Sequence, residues 1–231
     1  MLEPLLEFFT KYEDVDVFCL QEVYSDAEGK ETPHPTLDMK LDLFQQIKKQ
    51  LSGTHVGYFR PAFEDYYGLA IFVKKDLEII EEGDVFVYKN NDPEGRGRHS
   101  RNLQYIRTRI NGKPTIIANV HGLWTTDGKN DNEDRIEQSK KIKEFIGKQS
   151  DPVILVGDFN LNPDTESLAI IEKEMRNLIK DYNVTSTRTS FYTKESKFAD
   201  YTLVTPGVKV KEFKILPDEV SDHSAMYLEV E

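Results

Sequence analysis

An apolar run, Pro152-Val-Ile-Leu-Val156, stops abruptly at Gly157-Asp-Phe-Asn-Leu-Asn-Pro163. In an extended strand residues i and i+2 point the same way, so Asp158 and Asn160 are expected on one side of the strand end. That is how a fold presents a catalytic pair. For such a tetrapeptide alone, an Asp/Asn-rich turn after a core strand is the stronger alternative. Four further segments weigh against it: Val15-Asp-Val-Phe-Cys-Leu-Gln-Glu22; Thr115-Ile-Ile-Ala-Asn-Val-His121, with Asn119 and His121 on one face; Phe198-Ala-Asp-Tyr-Thr-Leu-Val204; and Val220-Ser-Asp-His-Ser224, which leads into the apolar stretch Ala225–Val230. Each sets Glu, Asp, Asn or His where a mostly apolar strand begins or ends. Such groups are rarely buried without partners, so their convergence on one site is the simplest account.

The elements that must position these residues follow from periodicity. Leu2, Leu5, Leu6 and Phe9 recur at helical spacing, and Leu37, Leu41, Phe44, Ile47 and Leu51 mark an amphipathic helix over Thr36–Leu51. Strands are predicted at Val15–Leu20, His55–Arg60, Tyr67–Val73, Leu77–Ile80, Val85–Tyr88, Leu103–Ile110 and Thr115–Val120, with Asn111-Gly112 as the hairpin turn before the last of these. A second exposed helix is expected over Asp131–Gln149, and a third, capped by Asp164, running to Met175. No interdomain linker, repeat or low-complexity segment interrupts the 231 residues, so the whole chain, 1–231, reads as one α/β domain.

Composition narrows the class. Cys19 is the only cysteine, which leaves no disulfide and no cysteine metal cluster; inside an apolar strand it reads as a buried structural thiol. No apolar run approaches a transmembrane span and the first residues carry no leader pattern, so an intracellular, cytoplasmic monomer is expected. The formal net charge of −11 disfavours tight duplex binding, because proteins that hold long nucleic acid by its phosphates carry basic clusters. One such cluster is present, Gly95-Arg-Gly-Arg-His-Ser-Arg101. It suits phosphate binding through Arg98 and Arg101, with a flexible polar loop as the alternative.

Taken in order, Gln21-Glu22, Asn119-Val-His121, Gly157-Asp-Phe-Asn160, Asp200-Tyr201 and Ser221-Asp-His223 resemble the endonuclease/exonuclease/phosphatase superfamily over about Asp14 to Val230. The resemblance implies a four-layer α/β sandwich, two mixed β-sheets flanked by helices. It also implies a metal-dependent phosphoesterase, a nuclease or a small-molecule or lipid phosphodiesterase, that drives in-line attack of water. By that likeness Glu22 and Asp222 hold Mg²⁺ or Mn²⁺, Asp158 orients or deprotonates the water, and Asn160 donates to a phosphoryl oxygen. His223 contacts the phosphate, Asp200 fixes its tautomer, and His121 serves the leaving group or phosphate. Asn119 completes a phosphate cradle or else bonds neighbouring backbone. Substrates are phosphoesters, nucleic acid among them. Family members usually open with a strand bearing an asparagine ligand well before the Gln-Glu motif, and here only 21 residues precede Glu22. An N-terminally shortened domain is therefore expected, and with it the alternative of a catalytically impaired member that binds a phosphorylated ligand or a partner.

Overall fold

The computed structural model describes residues 2–30, 41–90, 99–126 and 128–231. Its elements are α1 (Leu2–Lys11), β1 (Val17–Tyr24), α2 (Leu43–Gln50), β2 (His55–Phe63), β3 (Tyr67–Lys74), β4 (Ile79–Tyr88), β5 (Arg101–Ile110), β6 (Lys113–His121), α3 (Glu133–Gly147), β7 (Val153–Asp158), α4 (Glu166–Glu172), β8 (Arg176–Asn177), α5 (Leu178–Asp181), β9 (Asp200–Val204), β10 (Val210–Ile215) and β11 (Met226–Val230). A six-stranded sheet of order β4-β5-β6-β7-β9-β8 faces a layer made of two pieces, β1-β3-β2 and β10-β11. The fold class is thus the expected one, α/β with sheets between helices. Among the described residues only the six-stranded sheet is mixed, through the parallel β6–β7 pair; the β1-β3-β2 and β10-β11 sheets are antiparallel.

Strand alternation builds the layers. In β3, buried from Tyr67 to Val73, Ile71 and Val73 enter the core between the sheets while Ala70 and Phe72 face the other way. There they meet Phe9 of α1 and Phe44 and Ile47 of α2. Neighbouring β1 divides likewise, Phe18 toward the helices and Val17 and Cys19 toward the central core. The Cys19 thiol, partly buried against the central core, is pushed up to about 12 by burial, which disfavours the reactive thiolate. On the far side Ile142 and Ile146 of α3 and Leu168 and Ile171 of α4 cover the six-stranded sheet.

Several boundaries differ from the sequence reading. The two strands expected around Glu81-Glu82-Gly83-Asp84 are one, β4, because an edge strand tolerates polar residues while its backbone stays paired to β5. The third helix starts at Glu166 and ends at Glu172. Its cap is Thr165, whose Oγ1 accepts from the Leu168 amide, and not Asp164. Asp131, read as the start of the second helix, instead accepts from the Glu166 and Ser167 amides of α4, and Asn132 caps α3. The first part of the predicted helix 36–51 lies outside the described residues, and β10 was not anticipated. No helix among the described residues is long and apolar enough to cross a membrane.

Candidate active site

Three neighbouring strands end in one row of polar side chains. In the parallel register of β6 and β7, His121 pairs with Asp158, and in the antiparallel register of β7 and β9, Asp158 pairs with Asp200. Glycines make this close approach possible. A Cβ on Gly157, at φ +139°, would lie 2.0 Å from the Val120 carbonyl oxygen, and one on Gly122 would lie 2.2 Å from that of Phe159. Asn160 is not delivered by strand alternation. The strand stops at Asp158, and Asn160 sits past it at φ 53°, its amide N–H donating to Asp158 Oδ1 at 2.7 Å and its side chain to the Gly122 carbonyl at 3.3 Å. A local Asx turn, the alternative reading of this motif, is what places the pair together.

Glu22 reaches the row by a second irregularity. The β1–β3 register shifts between Leu20 and Val23, and Glu22 takes φ 56°, a bulge that re-aims its side chain. Its Oε1 lies 3.7 Å from His121 Nε2, with Asp158 Oδ2 at 3.9 Å from the same nitrogen. On the other side of the ring Arg101 Nη1 is 2.9 Å from His121 Nδ1. A guanidinium only donates, so Nδ1 accepts and the proton of this neutral imidazole is on Nε2, facing the carboxylates. Arg101, expected to bind phosphate from its loop, is only 1 % exposed and supports His121 from within. Arg98, the other residue expected to bind substrate there, lies outside the described residues. Asn119 is also drawn inward. Fully buried, it donates to the Leu20 and Ala70 carbonyls and accepts from Gln21 Nε2 at 2.7 Å, clipping β6 to β1 and β3 beneath the Glu22 bulge.

His223 closes the site from the segment before β11. Its Nδ1 bonds Asp200 Oδ1 at 2.7 Å, leaving Nε2 at 3.8 Å from Asp158 Oδ2 and 4.0 Å from Asp222 Oδ2. Burial opposes the imidazolium, but the Asp200 carboxylate, by charge and hydrogen bond, and Asp158 behind it raise the pKa to about 9. At neutral pH His223 is a cation. Thr187 Oγ1 donates to Asp200 Oδ2 at 3.0 Å and fixes the carboxylate's far oxygen. Asp222 is half exposed and accepts from Arg188 Nη1 at 3.0 Å.

Carboxylates crowd this site. Burial and the neighbouring Asp200 raise Asp158 above its ordinary value; burial and Asp158 do the same to Glu22. A divalent cation would relieve that repulsion. Asp158, Asp200 and His223 lie with ligand atoms within 4.8 Å of one another, a cluster that includes neither Glu22 nor Asp222 of the expected pair. Thr187, Arg188 and Lys129 are residues the sequence reading missed. They lie in polar loops without periodicity, and only Gln21, adjacent to Glu22, carried a signal.

The endonuclease/exonuclease/phosphatase family model matches residues 2–223. The chain belongs to that family of phosphoester hydrolases. Among solved structures, this family member resembles the endonuclease/exonuclease/phosphatase of Bacteroides vulgatus (TM-score 0.72, 19% identity, covering 100% of this chain and 89% of that one). It is similar to the mannosyl-6-phosphatase of Bacteroides thetaiotaomicron (0.71, 20%, 98% and 89%). A humanized D. rerio TDP2 gives 0.73 at 16% identity, over 98% and 89%. At these identities the likeness is one of fold. No curated protein matches the chain.

Proposed function

We propose that this family member is a divalent-metal-dependent phosphodiesterase whose reacting centre is the row His121–Asp158–Asp200 closed by His223. The observation that carries this reading is Asp158 Oδ2, which lies 3.9 Å from His121 Nε2 and 3.8 Å from His223 Nε2. A carboxylate with raised pKa between one neutral and one charged imidazole suits general-base work on water near neutrality. In this account Asp158 orients the attacking water and takes its proton. The His223 imidazolium, held by Asp200, stabilises charge growing on the phosphoryl oxygens. His121, with its proton on Nε2, donates to the phosphate or the departing oxygen, and Asn160 donates its remaining amide hydrogen to a nonbridging oxygen. Glu22, Asp222 and the adjacent Asp158 would hold Mg²⁺ or Mn²⁺, which supplies Lewis-acid charge neutralisation when bound.

The net charge of −11 favours a compact phosphoester over long duplex nucleic acid. A panel of bis-p-nitrophenyl phosphate, p-nitrophenyl phosphate, single-stranded and duplex DNA, lysophospholipid and inositol phosphates, each with Mg²⁺, Mn²⁺ or EDTA, tests the proposal. Metal-dependent cleavage of a diester is expected. Cleavage confined to monoesters, as the mannosyl-6-phosphatase neighbour would suggest, overturns the diester assignment.

A further inference from the structure

Beside the reacting centre two cations share one aromatic ring. Lys129 Nζ lies 5.5 Å from the Tyr192 ring centroid and Arg188 Cζ lies 4.1 Å from it. Both are built in. The Lys129 carbonyl accepts from the Asn162 amide at 2.9 Å, and its ammonium donates to the Phe198 carbonyl at 2.7 Å, two residues before Asp200. The loop that presents Lys129 is fastened by the fully buried Arg135, whose guanidinium donates to the Leu123, Gly128 and Asn130 carbonyls. Arg188 pairs backbone to backbone with His223 and bonds Asp222 through Nη1, and its side chain is only 7% exposed.

The two cations are held together against their own repulsion. Burial first, and then Arg188, bring the Lys129 ammonium down to about 8, with Asp158, Asp200 and Asp222 acting against the shift. Arg188 Nε is buried with no hydrogen-bond partner among the described residues. A buried guanidinium N–H without an acceptor is costly, as is a crowded like-charge pair, and one anion relieves both. The carboxylates nearby do not fill this place: Asp222 is engaged by Nη1, and Asp200 by His223 and Thr187.

We infer that Lys129 and Arg188, set about the Tyr192 ring, form a second anion subsite that takes a further phosphate carried by the same substrate. This rests on the phosphoester reading above, and it narrows the substrate class to compact molecules with more than one phosphate. The subsite adjoins the reacting centre: Arg188 pairs with His223 and bonds Asp222, while neither cation hydrogen-bonds the His121–Asp158–Asp200 row among the described residues.

Calorimetric titration of the Mg²⁺-loaded protein with inorganic phosphate and with methylenediphosphonate tests the subsite without turnover. The wild type is expected to bind the diphosphonate at least about tenfold more tightly than phosphate, a difference of about 1.4 kcal/mol. Lys129→Met should remove most of that preference, and Lys129→Arg should keep it. A wild type with no preference, or a Lys129→Met protein with the wild-type preference, overturns the subsite; because the diphosphonate also chelates Mg²⁺, Lys129→Gln is the second variant read in the same way if Lys129→Met does not fold. Hydrolysis of bis-p-nitrophenyl phosphate, followed in parallel, keeps the two claims apart. A Lys129-dependent preference without hydrolysis leaves the subsite standing and removes the phosphodiesterase reading; hydrolysis without the preference does the reverse.

Discussion

At the scale of single residues, the least expected feature is the role of Arg101. Burying a guanidinium is costly unless carboxylates compensate, and Tyr67, Glu22 and Asp158 are the groups that favour its charge against burial. Arg101 in turn lowers the Glu22 pKa. Arg101→Met should therefore shift the acid limb of the pH–rate profile to higher pH and release His121 from its single tautomer; an unmoved limb would show that Arg101 only packs. His223 gives a second test. Its folded pKa of about 9 exceeds the ordinary 6.5, so its stabilising contribution is complete below about 6.5 and is lost as pH rises through about 9. Lys129, lowered to about 8, acts in the opposite sense, so the difference between wild type and His223→Gln reads the histidine. In metal-free urea unfolding that difference should shrink steadily from neutral pH toward alkaline pH, and a constant difference would contradict the Asp200–His223 pairing. Residue types were legible here and surroundings were not. Asp158, Asp200 and His223 announce themselves at strand ends, whereas nothing in the segment Thr185–Thr189 marks Thr187 or Arg188, whose partners are more than ten residues away.

At the scale of elements, the site depends on where regular structure fails. Strands that pair in register bring His121, Asp158 and Asp200 side by side, and the apolar runs before them made those strands legible. The bulge at Glu22 and the left-handed turn at Asn160 were not legible, because hydrophobic alternation carries no information about a register shift or a positive φ. The β10 strand was overlooked for a related reason. A register shift between Val210 and Glu212 breaks the two-residue period of Val-Lys-Glu-Phe-Lys-Ile. Gly157 is the element-scale test. Gly157→Ala must place a Cβ 2.0 Å from the Val120 carbonyl at a φ that side chains avoid. The strained φ alone costs roughly 1–3 kcal/mol, and the forced separation of β6 and β7 should also lower activity. Urea unfolding and hydrolysis measured on one preparation check this; a variant with wild-type values of both would show that the strands need not approach so closely.

At the scale of the whole molecule, a net charge of −11 surrounds a site where Arg101, Lys129, Arg188 and His223 gather among Glu22, Asp158, Asp200 and Asp222. Such a contrast makes the site the place where anions and cations meet on an otherwise acidic chain, which is the setting the proposed function requires. The layers meet over one core and set His121, Asp158 and Asp200 at strand ends, with His223 brought to them from the segment before β11. The most direct test of the account is the rate of bis-p-nitrophenyl phosphate hydrolysis across a Mg²⁺ or Mn²⁺ titration, for the wild type and for Asp158→Asn. The wild-type rate should rise with metal to saturation and vanish in EDTA, and the variant, with an unchanged unfolding transition, should fall by about 10²–10⁴-fold. A rate indifferent to EDTA, or an Asp158→Asn protein within a few-fold of wild type at saturating metal, would contradict it.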